Sequence, residues 1–152
     1  MLLIVTGIGL LIHIYSIGYI DHEPRGGVAR FFCYLNLFCF FMLTLVLGSN
    51  FLVMFVGWEG VGLCSYLLIG FYFHRKSATN AANKAFLVNR VGDAAFIIGM
   101  LLIFTTLGTL QFTEIGPALE KGGFSAETAG FGVLSVITLL LFIGAAGKSA
   151  QL

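Results

Sequence analysis

Five apolar segments, at about 1–19, 31–48, 51–73, 83–107 and 131–152, account for most of the chain. Each is close to the roughly 20 residues that cross about 30 Å of hydrocarbon as a helix. Most are apolar all round rather than striped, the pattern of helices surrounded by lipid or by other helices. Ile, Val and Phe are frequent, yet an isolated strand would leave its backbone groups unpaired in hydrocarbon, so the pattern predicts helices. The expected fold class is all-α: a polytopic transmembrane helix bundle of about five helices, with no internal repeat and no linker.

The connections differ in character. Asp21-His22-Glu23-Pro24-Arg25-Gly26-Gly27 reads as a charged loop broken by Pro and Gly. Gly48-Ser49-Asn50 leaves room only for a tight turn, and His74-Arg75-Lys76 leads through Ser77, Thr79 and Asn80 to Lys84. The stretch from Gly108 to Gly130, with Glu114, Glu120, Lys121 and Glu127, reads as the longest loop. The first apolar segment lacks a preceding basic region, and Gly18-Tyr19-Ile20-Asp21 is a poor cleavage site, so it reads as a spanning helix rather than a signal peptide.

Composition sharpens this picture. Of 152 residues, 59% are hydrophobic and only 10% charged, with a mean hydropathy of +1.00. A soluble domain carries about a quarter charged residues on its surface, so a bilayer is the natural solvent here. A net charge of +1 provides no basic field for nucleic acid. Loops 20–30 and 74–84 fall on one side and hold Arg25, Arg30, Arg75, Lys76 and Lys84, against Lys121 alone on the other. The positive-inside rule then places loops 20–30 and 74–84 in the cytoplasm or mitochondrial matrix. Cys33, Cys39 and Cys64 sit in apolar runs without metal-ligand spacing and read as small hydrophobes.

Four ionisable residues fall inside expected spans: Glu59, Arg90, Asp93 and Lys148. An unpaired charge at the bilayer centre costs about 3 kcal/mol on insertion scales, so each is a candidate for function, with a structural ion pair as the plainer alternative. Glu59 lies roughly 12 Å from the outer end of its helix at helical rise, among glycines that admit a close neighbouring backbone. It serves either function or a structural hydrogen bond. Arg90 and Asp93, three apart, share a helix face and either neutralise each other or take part in a polar layer. Asp93 lies roughly 16 Å from the inner end of its helix, which predicts a depth similar to that of Glu59.

Lys148 follows Gly144-Ala145-Ala146-Gly147. Glycines there weaken a helix, and broken helices mark ion paths in transporters. A lysine amine titrates readily on burial where a guanidinium does not, which makes Lys148 the better proton carrier. Gly147-Lys148-Ser149 does not complete a phosphate-binding loop, because Phe142 stands where that motif needs Gly. His13 reads as a hydrogen-bonded packing residue, while His22 and His74 carry no evident pattern. No cysteine cluster or Gly-rich strand–helix turn marks a flavin, iron–sulfur or quinone site.

Gly57-Trp58-Glu59-Gly60-Val61-Gly62-Leu63-Cys64-Ser65-Tyr66-Leu67-Leu68-Ile69-Gly70-Phe71 resembles the fifth transmembrane helix of the chain 5 (subunit L) family of respiratory complex I, the NADH:quinone oxidoreductase. Asn83 through Asp93 resembles the start of the sixth, Phe142 through Leu152 the broken seventh, and His13 through Tyr19 the third. The four motifs occur in the family's order over nearly the whole chain. The resemblance implies an antiporter-like inverted-repeat fold, with residues 1–48 ending the N-terminal chain-5 region and 49–152 opening the proton-translocating domain. It implies a proton-translocating subunit in a bacterial plasma membrane or mitochondrial inner membrane, partnered by the lipid bilayer and by other membrane-arm subunits. NADH, FMN, iron–sulfur clusters and quinone would belong to other subunits, and no cofactor, metal or small-molecule substrate to this chain.

Among the site residues, the resemblance makes Glu59 the carboxylate that tunes a buried lysine, Lys148 that lysine, and Arg90 and Asp93 members of the same polar axis. At about 4 Å and an effective dielectric near 20, such a pair is worth about 4 kcal/mol, enough to load or release a proton near neutral pH. The family's chain extends on both sides of this one, so the chain reads as a fragment that would not pump alone. Related alternatives are a subunit of a multi-subunit sodium/proton antiporter or of a membrane-bound hydrogenase. A third is a non-transporting membrane scaffold.

Overall fold

The computed structural model describes residues 1–122 and 132–149. Among them are six α-helices: α1 Leu2–Tyr19, α2 Arg25–Leu47, α3 Phe51–Ile69, α4 Lys76–Leu107, α5 Phe112–Lys121 and α6 Val133–Ser149. Extended pairing among the described residues is limited to one bridge between Asn50 and Gln111. The all-α class is therefore as the apolar pattern predicts. α1 to α4 are each long and apolar enough to cross a membrane. The 17 residues of α6 cover about 26 Å at helical rise.

Two of the helices start earlier than their apolar segments do. α2 begins at Arg25 instead of about residue 31, and α4 at Lys76 instead of about 83. Hydropathy marks the stretch in hydrocarbon, whereas the backbone stays helical for polar turns beyond it. Pro24 sets the start of α2: it is extended (φ −61°, ψ 152°), and its carbonyl accepts from Gly27 N–H at 2.7 Å and Val28 N–H at 3.1 Å. Gly26 and Gly27, expected to break the chain, are wound into that first turn. Arg25, Arg30, Lys76 and Lys84 consequently sit on helical turns, not in loops.

The described chain divides into two compact units. The first comprises residues 1–48 and 53–86. Its tightest feature is the crossing of α3 over α2. A Cβ on Gly57 would lie 2.6 Å from the Cα of Leu45, and one on Gly60 would run into the ring of Phe41. Two helix backbones approach this closely only where the side chain is absent. At one end of the unit the finish of α1 and α3 meets the start of α2 and α4 through aromatic rings. Tyr19 and Phe31 lie 6.3 Å apart, Phe31 meets Phe71 edge-on at 5.4 Å, and Tyr66 lies 5.2 Å from Phe86. Phe71 and Ala82 are buried in this cluster.

The second unit comprises residues 49–52 and 87–152, described to 122 and from 132 to 149. Here α4 packs on α6 along glycines. A Cβ on Gly92 would lie 3.1 Å from the Gly144 carbonyl and 3.3 Å from the Gly147 Cα, and one on Gly99 would lie 3.3 Å from the Leu140 Cβ. Gly108 ends α4 with φ at +74°, where a side chain would be strained, and its N–H bonds the Phe104 carbonyl at 2.9 Å.

The expected long loop from 108 to 130 is corrected by α5. Thr109 organises its start: the hydroxyl donates to the Glu114 carboxylate and accepts from Gln111 N–H at 3.2 Å. Glu114 lies in the first turn and Lys121 in the last, as the helix dipole favours. Phe112, Ile115 and Leu119 repeat at helical spacing, and Phe112 meets Phe51 edge-on at 4.9 Å. Ile115 and Leu119 close an apolar cavity of about 230 Å³ together with Ile103, Leu107, Leu134 and Ile137. The remainder of the expected loop, with Glu127, lies outside the described residues.

Polar side chains inside the apolar helices bond back to their own helix. Thr6 donates to the Leu2 carbonyl at 3.0 Å, Asn36 to Phe32 at 2.8 Å, Thr44 to Phe40 at 2.9 Å and Thr106 to Leu102 at 2.6 Å. His13 Nδ1 donates to the Gly9 carbonyl at 2.7 Å, consistent with its reading as a packing residue. Local bonding of this kind satisfies these groups within their own helices, where lipid could not.

Candidate functional site

Glu59 lies eight residues into α3, about 12 Å along it. It is half-buried, and Gly57, Gly60, Val61, Gly62 and Cys64 around it are buried. The carboxylate thus belongs to the segment of α3 that carries the closest backbone approach in the first unit. Cys64 is fully buried as a free thiol, filling the space of a small hydrophobe.

In the second unit, Asp93 on α4 is 4% exposed, a buried carboxylate on a helix whose neighbouring positions Gly92, Phe96, Gly99 and Met100 are also buried. Arg90, one turn earlier, is exposed. Lys148, in the last turn of α6, is half-buried.

The glycines beside Lys148 do not break α6 among the described residues. The helix is continuous from Val133 to Ser149, through both Gly144 and Gly147. They serve instead to bring α6 against α4: a Cβ on Gly147 would lie 3.0 Å from the Cα of Gly92, and one on Gly144 would lie 3.0 Å from the Phe96 Cβ. The expected weakening of the helix gives way to packing, because a missing side chain removes a steric barrier as well as a helical preference. Ala150, Gln151 and Leu152, which complete the motif, lie outside the described residues.

This contact has a chemical consequence. Asp93 follows Gly92, and Lys148 follows Gly147, so carboxylate and amine are each one residue from the same backbone crossing. Arg90 lies two residues before it. Of the four ionisable residues singled out in the sequence, three are gathered on facing segments of one unit, and Glu59 sits on α3 in the other. Sequence reasoning missed the crossing that joins α4 to α6. Its signal was present as Gly144-x-x-Gly147, a small-residue stripe that suits close packing as well as it suits a break.

Residues 48–152 match the family described as NADH:quinone oxidoreductase/Mrp antiporter, transmembrane. Residues 1–32 match the one described as NADH-ubiquinone oxidoreductase (complex I), chain 5 N-terminus. The chain is 50% identical over 149 residues to NADH-quinone oxidoreductase subunit L of Mycobacterium tuberculosis (strain ATCC 25618 / H37Rv), covering 98% of this chain and 22% of that protein. It is 48% identical over 157 residues to NADH-ubiquinone oxidoreductase chain 5 of Marchantia polymorpha, covering all of this chain and 23% of that one. Subunit L of Neisseria meningitidis serogroup B (strain ATCC BAA-335 / MC58) is 48% identical over 156 residues, with 99% of this chain and 23% of the relative covered. The chain thus spans less than a quarter of the length of these curated relatives. On the match of residues 48–152, it is a multi-pass membrane chain that belongs to the NADH:quinone oxidoreductase/Mrp antiporter transmembrane family.

Proposed function

We propose that this chain is part of a proton-translocating membrane-arm subunit of NADH:quinone oxidoreductase, the counterpart of subunit L or chain 5. Residues 1–48 then end the N-terminal chain-5 region and 49–152 open the translocating domain. Lys148 is the proton carrier, Asp93 and Arg90 its polar surroundings, and Glu59 the carboxylate whose influence sets when the lysine holds its proton. The observation that carries this reading is the α4–α6 crossing, which sets buried Asp93 and half-buried Lys148 beside one backbone contact inside apolar helices. Charges are kept at such depth where they move ions or hold counter-ions.

The mechanism needs little motion. A lysine amine takes and gives up a proton, while two carboxylates at different positions favour its charged form to different extents. Shifting that balance, in step with quinone reduction elsewhere in the complex, would load the amine from one side and empty it to the other. NADH oxidation, flavin, iron–sulfur and quinone chemistry belong in this reading to partner subunits. The basic ends of α2 and α4 face the cytoplasm or matrix, following their five Arg and Lys residues.

The test is Glu59→Gln in the full-length subunit, assembled in its complex and reconstituted into vesicles. Acidification of the lumen during NADH oxidation is expected to fall about tenfold or more, with assembly unchanged. Undiminished proton movement would remove Glu59 from the mechanism. A sodium/proton antiporter subunit is the second reading, favoured by the wording of the family that residues 48–152 match. Sodium-dependent proton movement without NADH would select it.

A further inference from the structure

We propose that the aromatic end of the first unit binds an anionic phospholipid headgroup, held by Arg30. This inference concerns a surface apart from Glu59 and stands or falls independently of the proton-translocation reading.

Arg30 is the pivot. It lies five residues into α2, about 8 Å from the helix start, so its long side chain reaches the headgroup level from a stem in hydrocarbon. Its guanidinium carbon stands 4.8 Å from the ring centre of Phe71 and 5.2 Å from that of Phe73. The two rings hold the cation through their π faces, a contact that uses none of its N–H groups as hydrogen-bond donors to oxygen. Among the described residues no carboxylate or carbonyl accepts from this guanidinium. A half-buried arginine at the end of a membrane helix, held against two rings and lining two cavities, is suited to receive an anion.

The space beside it has the required size and character. A cavity of about 210 Å³ runs between Arg30, Tyr34, Tyr66, Gly70 and Thr79, and a second of about 270 Å³ between Arg30, Gly27, Tyr72 and His74. The phenols of Tyr34 and Tyr66 add donors to the first. Glu23 borders the second cavity, and its carboxylate stays beyond ion-pair reach of Arg30. Arg25, Arg75, Lys76 and Lys84 crowd the same ends of α2 and α4, with Arg75 over the Tyr72 ring at 5.3 Å. Such a field attracts anionic lipid to the membrane surface, and basic pockets between membrane helices take its headgroup. The phosphodiester accepts two parallel N–H bonds from a guanidinium fork, a geometry that a lysine cannot match.

The experiment uses the complete complex, purified in mild detergent and washed until its lipid content is constant. Retained phospholipids are then counted by mass spectrometry. Arg30→Gln is expected to lose one anionic phospholipid per chain, with zwitterionic lipid unchanged, and Arg30→Lys to keep less of it than wild type. Incubation of wild type, stripped by harsher detergent, with vesicles of phosphatidylcholine and phosphatidylglycerol should restore the lost molecule; phosphatidylcholine alone should not. Should Arg30→Gln fail to assemble, Phe73→Leu removes one exposed wall of the clamp and is expected to release the same lipid. Unchanged retention in these variants would overturn the proposal. So would release by inorganic phosphate, which would mark a free-anion site, or loss of a neighbouring polypeptide with the lipid count intact, which would mark a protein contact.

Discussion

Gly7 and Gly18 of α1 and Gly57 and Gly60 of α3 look alike in sequence and do opposite things. A Cβ added to Gly7 or Gly18 would meet nothing within 4 Å, whereas one on Gly57 or Gly60 would collide with α2. The same division appears in burial: 6% of the α1 span is buried and 28% of the α3 span. α1 turns Leu3, Leu10, Leu11, Tyr15 and Ile17 outward. α3 instead embeds Glu59 among buried glycines. The difference teaches that glycine in a membrane helix marks a packed seam only when a backbone approaches it. At Gly7 and Gly18 it is a small residue facing open space; in α3, and again where α4 meets α6, it sets an ionisable residue beside a close helix crossing.

Substitutions in the full-length subunit break this comparison at graded sites. Gly57→Leu should have the largest effect: the side chain has no space against the Leu45 backbone, and overpacking of this kind costs about 3 kcal/mol. Loss of the assembled complex on native gels would register it, and normal assembly would contradict the α2–α3 crossing. Gly147→Ala comes next, because its Cβ would stand 3.0 Å from the Gly92 Cα. A cost of about 1 kcal/mol is expected from the tight contact. Proton movement should fall more than thermal stability, since the shift separates α6 from the Asp93 turn. Gly7→Ala should have the smallest effect and the opposite sign, a gain of about 0.5–1 kcal/mol from helix propensity with no clash. A destabilising Gly7→Ala would show that α1 also carries a packed seam.

Much of this was legible in the sequence, and the failures have physical causes. Four of the long helices follow from unbroken apolar segments, because hydrocarbon demands internally paired backbone. The starts of α2 and α4 were set too late, since Arg25–Arg30 and Lys76–Lys84 are polar turns that hydropathy cannot tell from loops. α5 was missed because Pro117, Gly116 and four charges in the 108–130 stretch outweighed the Phe112, Ile115 and Leu119 stripe, which needs an apolar wall to be stable. The ionisable residues stood out because charge is costly in hydrocarbon. What the sequence left open was the meaning of Gly144 and Gly147, since one glycine pattern serves a break or a crossing. Only the partner backbone at Gly92 decides between them.

The central claim is that Lys148 moves protons and does not merely hold helices together. Its most direct test is lumen acidification driven by NADH in vesicles carrying the complete complex with Lys148→Ala and, separately, Lys148→Arg. Both variants should assemble, and both should lose most proton movement, because arginine keeps the charge but does not release its proton near neutral pH. Full acidification by the arginine variant would contradict the account, leaving Lys148 as a structural cation beside Asp93.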